Sequence, residues 1–138
     1  MTAKEYLRQY SIADRKAKRL HNEYEREQEL IDAIRSPMDF DGMPRSTNWD
    51  RRSVEDKVMR LVDKQAAWKI AEIEALQIRQ QVFETISGIK GDEGEVLFLR
   101  YISLKRWEEI AIEMNYSWSG IHKLHRKALH IVAESIGE

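Results

Sequence analysis

Two histidines three residues apart, His122 and His125, and two adjacent carboxylates, Glu108 and Glu109, are the side chains here whose types and spacing could do chemistry. On a helix, positions i and i+3 share a face, which suits a pair of metal ligands. The chain has no cysteine, and no Asp or Glu stands between Asn115 and Ala133 to complete a ligand set, so no metal is expected. Both histidines fit a DNA-facing helix equally well. Glu108-Glu109 is a pairing that acid–base catalysis uses, but acids in a first helical turn are more simply placed there by the positive end of the helix dipole. No nucleophile with a neighbouring base and no phosphate-cradling glycine loop occurs, so neither an enzyme nor a cofactor is expected.

The segment that holds the histidines supports a different chemistry. Lys123, Arg126 and Lys127 are cations that can pair with phosphate, while Ser119, His122 and Lys123 have the donors and acceptors that read base edges. Ser117 and Trp118 open the same stretch. The bland alternative is a solvated basic helix face. Against it stands the distribution of charge: about a third of all residues are charged, yet the acids are absent from Asn115 to Ala133.

These side chains need a helix to present them. Ile110, Ala111 and Met114 recur at helical spacing, with Glu108, Glu109 and Glu113 toward water. Asn115-Tyr116 breaks that pattern. Ser117 can then cap a second helix over 117–130 by accepting from a backbone N–H two or three residues on. Its apolar stripe is Ile121, Leu124, Ala128 and Leu129, and the small Ala111 and Ala128 suit a close crossing. Two short helices joined this way read as a helix-turn-helix, whose second helix enters the major groove. Gly120 lies inside that helix, where it costs about 1 kcal/mol relative to alanine; it either allows a close approach to DNA or is tolerated.

Glu95-Val96-Leu97-Phe98-Leu99-Arg100-Tyr101, then Trp107-Glu108-Glu109-Ile110-Ala111, then Ser117 to Leu129 with its closing Ala128-Leu129, resemble region 4 of bacterial sigma-70-type factors over roughly the last 45 residues. Ile121 stands where that family usually has Val, and Trp118 where it often has a charged residue. The whole chain is similar to small phage and prophage proteins related to the ArpU and RinA late-transcription regulators. The resemblance implies transcription control in a phage setting and contact with RNA polymerase. Nothing resembles sigma region 2, so promoter opening by this chain alone is not expected.

The chain has 138 residues, with 23 basic and 24 acidic side chains. After Lys90 the balance is 6 to 8, so a small positive face is expected instead of a basic domain, with weak binding by one copy. No run is long enough to span a bilayer and no apolar signal core opens the chain, so a cytoplasmic protein without membrane association is expected.

Both prolines fall in 36–52, the predicted loop, where Arg45, Arg51 and Arg52 are interspersed with Asp39, Asp41 and Asp50. Before it, Tyr6, Tyr10, Ala13, Ala17, Leu20, Tyr24, Glu27, Ile31 and Ile34 mark one helical seam from Thr2 to about Arg35. After it, Ser53 is expected to cap a helix that runs to Ser87-Gly88, with Val58, Leu61, Val62, Ala66, Ile70, Ile73, Leu76, Val82, Phe83 and Ile86 as its apolar residues and Trp68 adjoining. A further helix over Glu93–Ile102, with Leu104 and Trp107 completing its core, finishes the set.

The expected fold is all-α: a long N-terminal helical hairpin, coiled-coil-like and oligomerising (residues 1–90), followed by a three-helix helix-turn-helix DNA-binding domain (91–138). The expected partners are double-stranded DNA, RNA polymerase and a second copy in a homodimer. Two alternatives remain at this level. One is a phage DNA-packaging recognition subunit of the small-terminase kind, which would form a ring. The other is a polymerase-binding protein that does not touch DNA.

Overall fold

Thr2 and Glu5 start the first helix as a reciprocal cap: the Glu5 amide donates to Thr2 Oγ1 at 3.2 Å and the Thr2 amide to Glu5 Oε2 at 3.1 Å. The computed structural model describes residues 1–34 and 51–137. Within them the chain is all-helical: α1 (Ala3–Ile34), α2 (Arg51–Ser87), α3 (Asp92–Leu97) leading into a π-helical turn (Phe98–Ile102), α4 (Trp107–Met114) and α5 (Trp118–Ser135). Most of the predicted loop lies outside the described residues. Its last two, Arg51 and Arg52, are helical, so Ser53 falls inside the first turn of α2 instead of capping it. Arginine is a good helix former, and nothing between it and Ser53 interrupts the helix.

The chain divides into two compact units, Met1–Arg15 with Ile73–Glu138, and Lys16–Glu72. In the second unit α1 and α2 pair antiparallel: Trp68 packs on His21 and Tyr24, with ring centroids 4.2 and 5.3 Å away, and Lys64 Nζ lies 3.3 Å from Glu27 Oε2. Ala17, Ile31 and Ala71 are buried there. Glu27, the polar interruption of the seam, is thus accommodated by an ion pair.

The first unit carries the main core. Ala3 and Leu7 from α1 and Val82 and Ile86 from α2 join Val96, Leu97, Leu99, Tyr101, Ile102, Ile110, Ala111, Ile121, Leu124, Ala128 and Val132 in one apolar cluster. The Tyr6 hydroxyl, 2.9 Å from Thr85 Oγ1, closes its edge.

The helix expected over Glu93–Ile102 is present with a change of pitch. Val96, Leu97, Leu99, Tyr101 and Ile102 cannot share a face of a regular α-helix, and the wider π-helical turn from Phe98 rotates the last residues inward, so that all five are buried. Leu104, with φ 57°, then reverses the chain, and the Lys105 amide reaches back to the Leu99 carbonyl at 3.0 Å. That reversal leaves Leu104 only half-buried and outside the core it was expected to complete, whereas Trp107 does pack against it. Among the described residues, no helix is long and apolar enough to cross a membrane.

Candidate nucleic-acid interface

α4 ends at Asn115, whose left-handed conformation (φ 59°, ψ 42°) a short polar side chain tolerates well. The Tyr116 amide donates back to Ala111 O at 2.9 Å, and two residues later α5 begins. Ser117 caps it, accepting from the Gly120 amide at 3.0 Å, three residues on. A Cβ on Gly120 would lie 2.9 Å from the Ser117 hydroxyl. The glycine is therefore explained by the cap it supports, with no need of a close DNA backbone.

Two polar ties fix this turn and helix to α3. Tyr116 Oη donates to Asp92 Oδ2 at 2.6 Å, and Lys127 Nζ lies 3.2 Å from Glu93 Oε1. The backbone amide at the start of α3 and, after it, Lys127 hold the Glu93 carboxyl below the usual carboxylate range.

Ile121, Leu124, His125, Ala128 and Val132 form the buried face of α5. The opposite side carries Ser119, Lys123, Arg126 and His130, all exposed, at offsets of four, three and four residues. Among the described residues neither Lys123 nor Arg126 has a carboxylate partner, whereas Lys127 is held by Glu93. Of the seven residues predicted for the site, Ser119, Lys123 and Arg126 share this outward stripe. Ser117 is the cap, Lys127 lies to one side, and Trp118 and His122 lie to the other.

His122 is wedged between Trp107 and Trp118, with centroids 4.7 and 4.6 Å away, and its Nε2 is buried without a hydrogen-bond partner. His130, seven residues past Lys123 at the predicted end of the helix, is not among the residues predicted for the site, yet it lies on the same outward stripe. α5 in fact continues to Ser135, because Val132 is fully buried and extends the inward face.

His125 does not face outward as a DNA-facing helix would place it. It is 7% exposed, and its Nε2 lies 2.7 Å from Tyr101 Oη, with Trp107 edge-on at 4.6 Å. Among the described residues no group of three or more metal-ligating side chains assembles around it or elsewhere.

Burial first, and then the charges of Lys4, His122, Arg100 and Arg126, push the His125 pKa down to about 4. Burial likewise pushes the Tyr101 hydroxyl up to about 12. An unfolded histidine titrates near 6.5, so between about 4 and 6.5 the unfolded chain binds a proton that the folded chain refuses. Stability is therefore full above pH 6.5 and falls as pH drops toward 4, by up to roughly 3 kcal/mol. Urea denaturation at pH 7 and pH 4.5 should show this loss, and His125→Gln should flatten it; an equal loss in the variant would place the acid sensitivity elsewhere.

No family, no curated protein and no solved structure matches this chain.

Proposed function

We propose that the protein is a sequence-specific DNA-binding transcription regulator of the phage or prophage kind, in which α4 and α5 form the helix-turn-helix and α5 reads the major groove. The observation that carries this reading is the outward stripe of α5: Ser119, Lys123, Arg126 and His130 are exposed together over a fully packed inner face, in a segment without acids. Ser119 and Lys123, nearest the helix N-terminus, reach base edges, and Arg126 holds phosphate. Trp118, 56% exposed beside the stripe, offers an apolar surface to a thymine methyl group.

A homodimer places two such helices on one DNA. Support comes from α2 in the second unit, where Met59, Val62 and Ile70 are each more than half exposed. An uncovered apolar surface of this kind marks an interaction site. Mass in solution separates this dimer from the ring expected of a DNA-packaging subunit.

Fluorescence anisotropy with random and phage-promoter duplexes tests the DNA reading. Wild-type protein is expected to prefer one sequence and to weaken with salt, and Lys123→Ala with Arg126→Ala is expected to lose at least tenfold in affinity, at about 1 to 3 kcal/mol per base-reading contact. Unchanged affinity in the double variant would remove α5 from the interface. A second reading, docking on RNA polymerase without DNA, is favoured by Ile112, 78% exposed on α4, an apolar side chain that DNA does not explain. On that reading the double variant retains full activity and Ile112→Asp loses it.

A further inference from the structure

We propose that Lys4 and Arg8, on the first turns of α1, form a second row of phosphate contacts beside α5, so that the N-terminal helix is part of the DNA interface. This rests on the reading of α5 as the groove-facing helix.

Lys4 and Arg8 are one turn apart, both exposed, and share a face. They immediately follow Ala3 and Leu7, which are buried in the cluster that also holds Ile121, Leu124, Ala128 and Val132 of α5. α1 is thus anchored by its inner face in the same core that backs α5, and the two exposed cations stand next in sequence to those anchors.

Their position is marked by the Tyr101–His125 pair. The charges that act on the His125 ring are Lys4 from α1, Arg100 from the π-turn, and His122 and Arg126 from α5. Those that act on the Tyr101 hydroxyl are Arg100 and Arg8. Four permanent cations from three elements, Lys4, Arg8, Arg100 and Arg126, thus act on one buried pair. The nearby acids are turned elsewhere: Glu5 accepts from the Thr2 amide, Glu93 from Lys127 and Glu113 from Lys105. Lys64, Lys105, Arg106 and Lys127 are each paired with a carboxylate; Lys4, Arg8 and Arg126 have no such partner among the described residues. Like charges held together without counterions form a site for a polyanion. A duplex backbone supplies phosphates on both sides of the groove that α5 enters, where one row of cations on α5 can serve only one side.

The test is the salt dependence of binding to a labelled mixed-sequence duplex. Each phosphate contact contributes about 0.9 to the slope of log affinity against log salt, so Lys4→Gln with Arg8→Gln should lower the slope by about 2. Base preference should remain, and Lys4→Arg with Arg8→Lys should restore the slope. Circular dichroism should show an unchanged fold, since both side chains are exposed. A control with Arg26→Gln and Arg60→Gln removes the same charge from the other unit and should leave the slope intact. A wild-type slope in the Lys4/Arg8 variant, or an equal fall in the control, would overturn the proposal while leaving the α5 reading standing. Absence of duplex binding by the wild-type protein at low salt would overturn both.

Discussion

Replacing Gly94 by alanine is expected to lower the thermal midpoint by about 10 °C, corresponding to a loss of about 3 kcal/mol for a chain of this size. Alanine ordinarily gains about 1 kcal/mol over glycine inside a helix, so the expected sign is the reverse of the usual one. The cause is local. A Cβ at Gly94 would stand 2.1 Å from the Ile89 carbonyl oxygen and 3.1 Å from its carbon. Both are backbone atoms, so no rotamer change relieves the clash, and the start of α3 must separate from the connection that leads into it. That connection sets where Asp92 and Glu93 stand, and these residues hold Tyr116 and Lys127. Gly88→Ala is the control: its Cβ would meet Thr85 O at an ordinary 3.7 Å. Calorimetry of the two variants should differ clearly, and equal midpoints would show that α3 moves away without cost.

Leu7→Ala is expected to cost about 3 kcal/mol, within the range for emptying a fully buried leucine site. Leu7 is 0% exposed, and its neighbours in the cluster come from helices distant in sequence, so little can collapse into the space. The same change at Leu20, which is only half-buried, should cost much less. Hydrogen exchange adds a second readout. Amides of the first turns of α1 should lose protection more than those of α4 in the Leu7 variant. A midpoint shift of less than about 2 °C, under 1 kcal/mol at this size, would mean that α1 contributes little to the core behind α5.

The burial of Leu7 is not legible from spacing along α1. The seam Tyr6, Tyr10, Ala13, Ala17, Leu20, Tyr24 and Ile31 was legible from four-three spacing, and each of these residues is at least half-buried. Ala3 continues that seam one step before Tyr6, but Leu7 lies one residue off it, and its burial depends on elements more than 70 residues away, which periodicity within one helix cannot register. The second long helix shows the converse. Its apolar set was legible, but the members divide: Val82 and Ile86 are buried and Trp68 is half-buried, whereas Val62, Ile70, Ile73 and Leu76 are each more than half exposed. Spacing alone could not separate the two groups, because both are apolar.

At the candidate site the cap was legible because capping is local: Ser117 and Gly120 are three residues apart. The division of the cations was not. Lys123, Arg126 and Lys127 look alike in sequence, and only the approach of Glu93 from α3 sets Lys127 apart. The i, i+3 spacing of His122 and His125 fits a groove-facing helix. The aromatic side chains that enclose them, Trp107, Trp118 and Tyr101, come largely from other elements. His130, at the predicted end of the helix, is not among the residues predicted for the site, yet it completes the outward stripe.

The central claim is that α5 presents its outward stripe to DNA. Nuclear magnetic resonance of the labelled protein, titrated with a mixed-sequence duplex at low salt, tests it most directly, because even sequence-independent binding engages the phosphate-facing residues. The expected result is that the largest shifts fall on Ser119, Lys123, Arg126 and His130 and on the Trp118 indole N–H, with the α2 resonances of Met59 and Val62 unmoved. No shift at saturating duplex, or shifts centred on α2 with α5 silent, would contradict it.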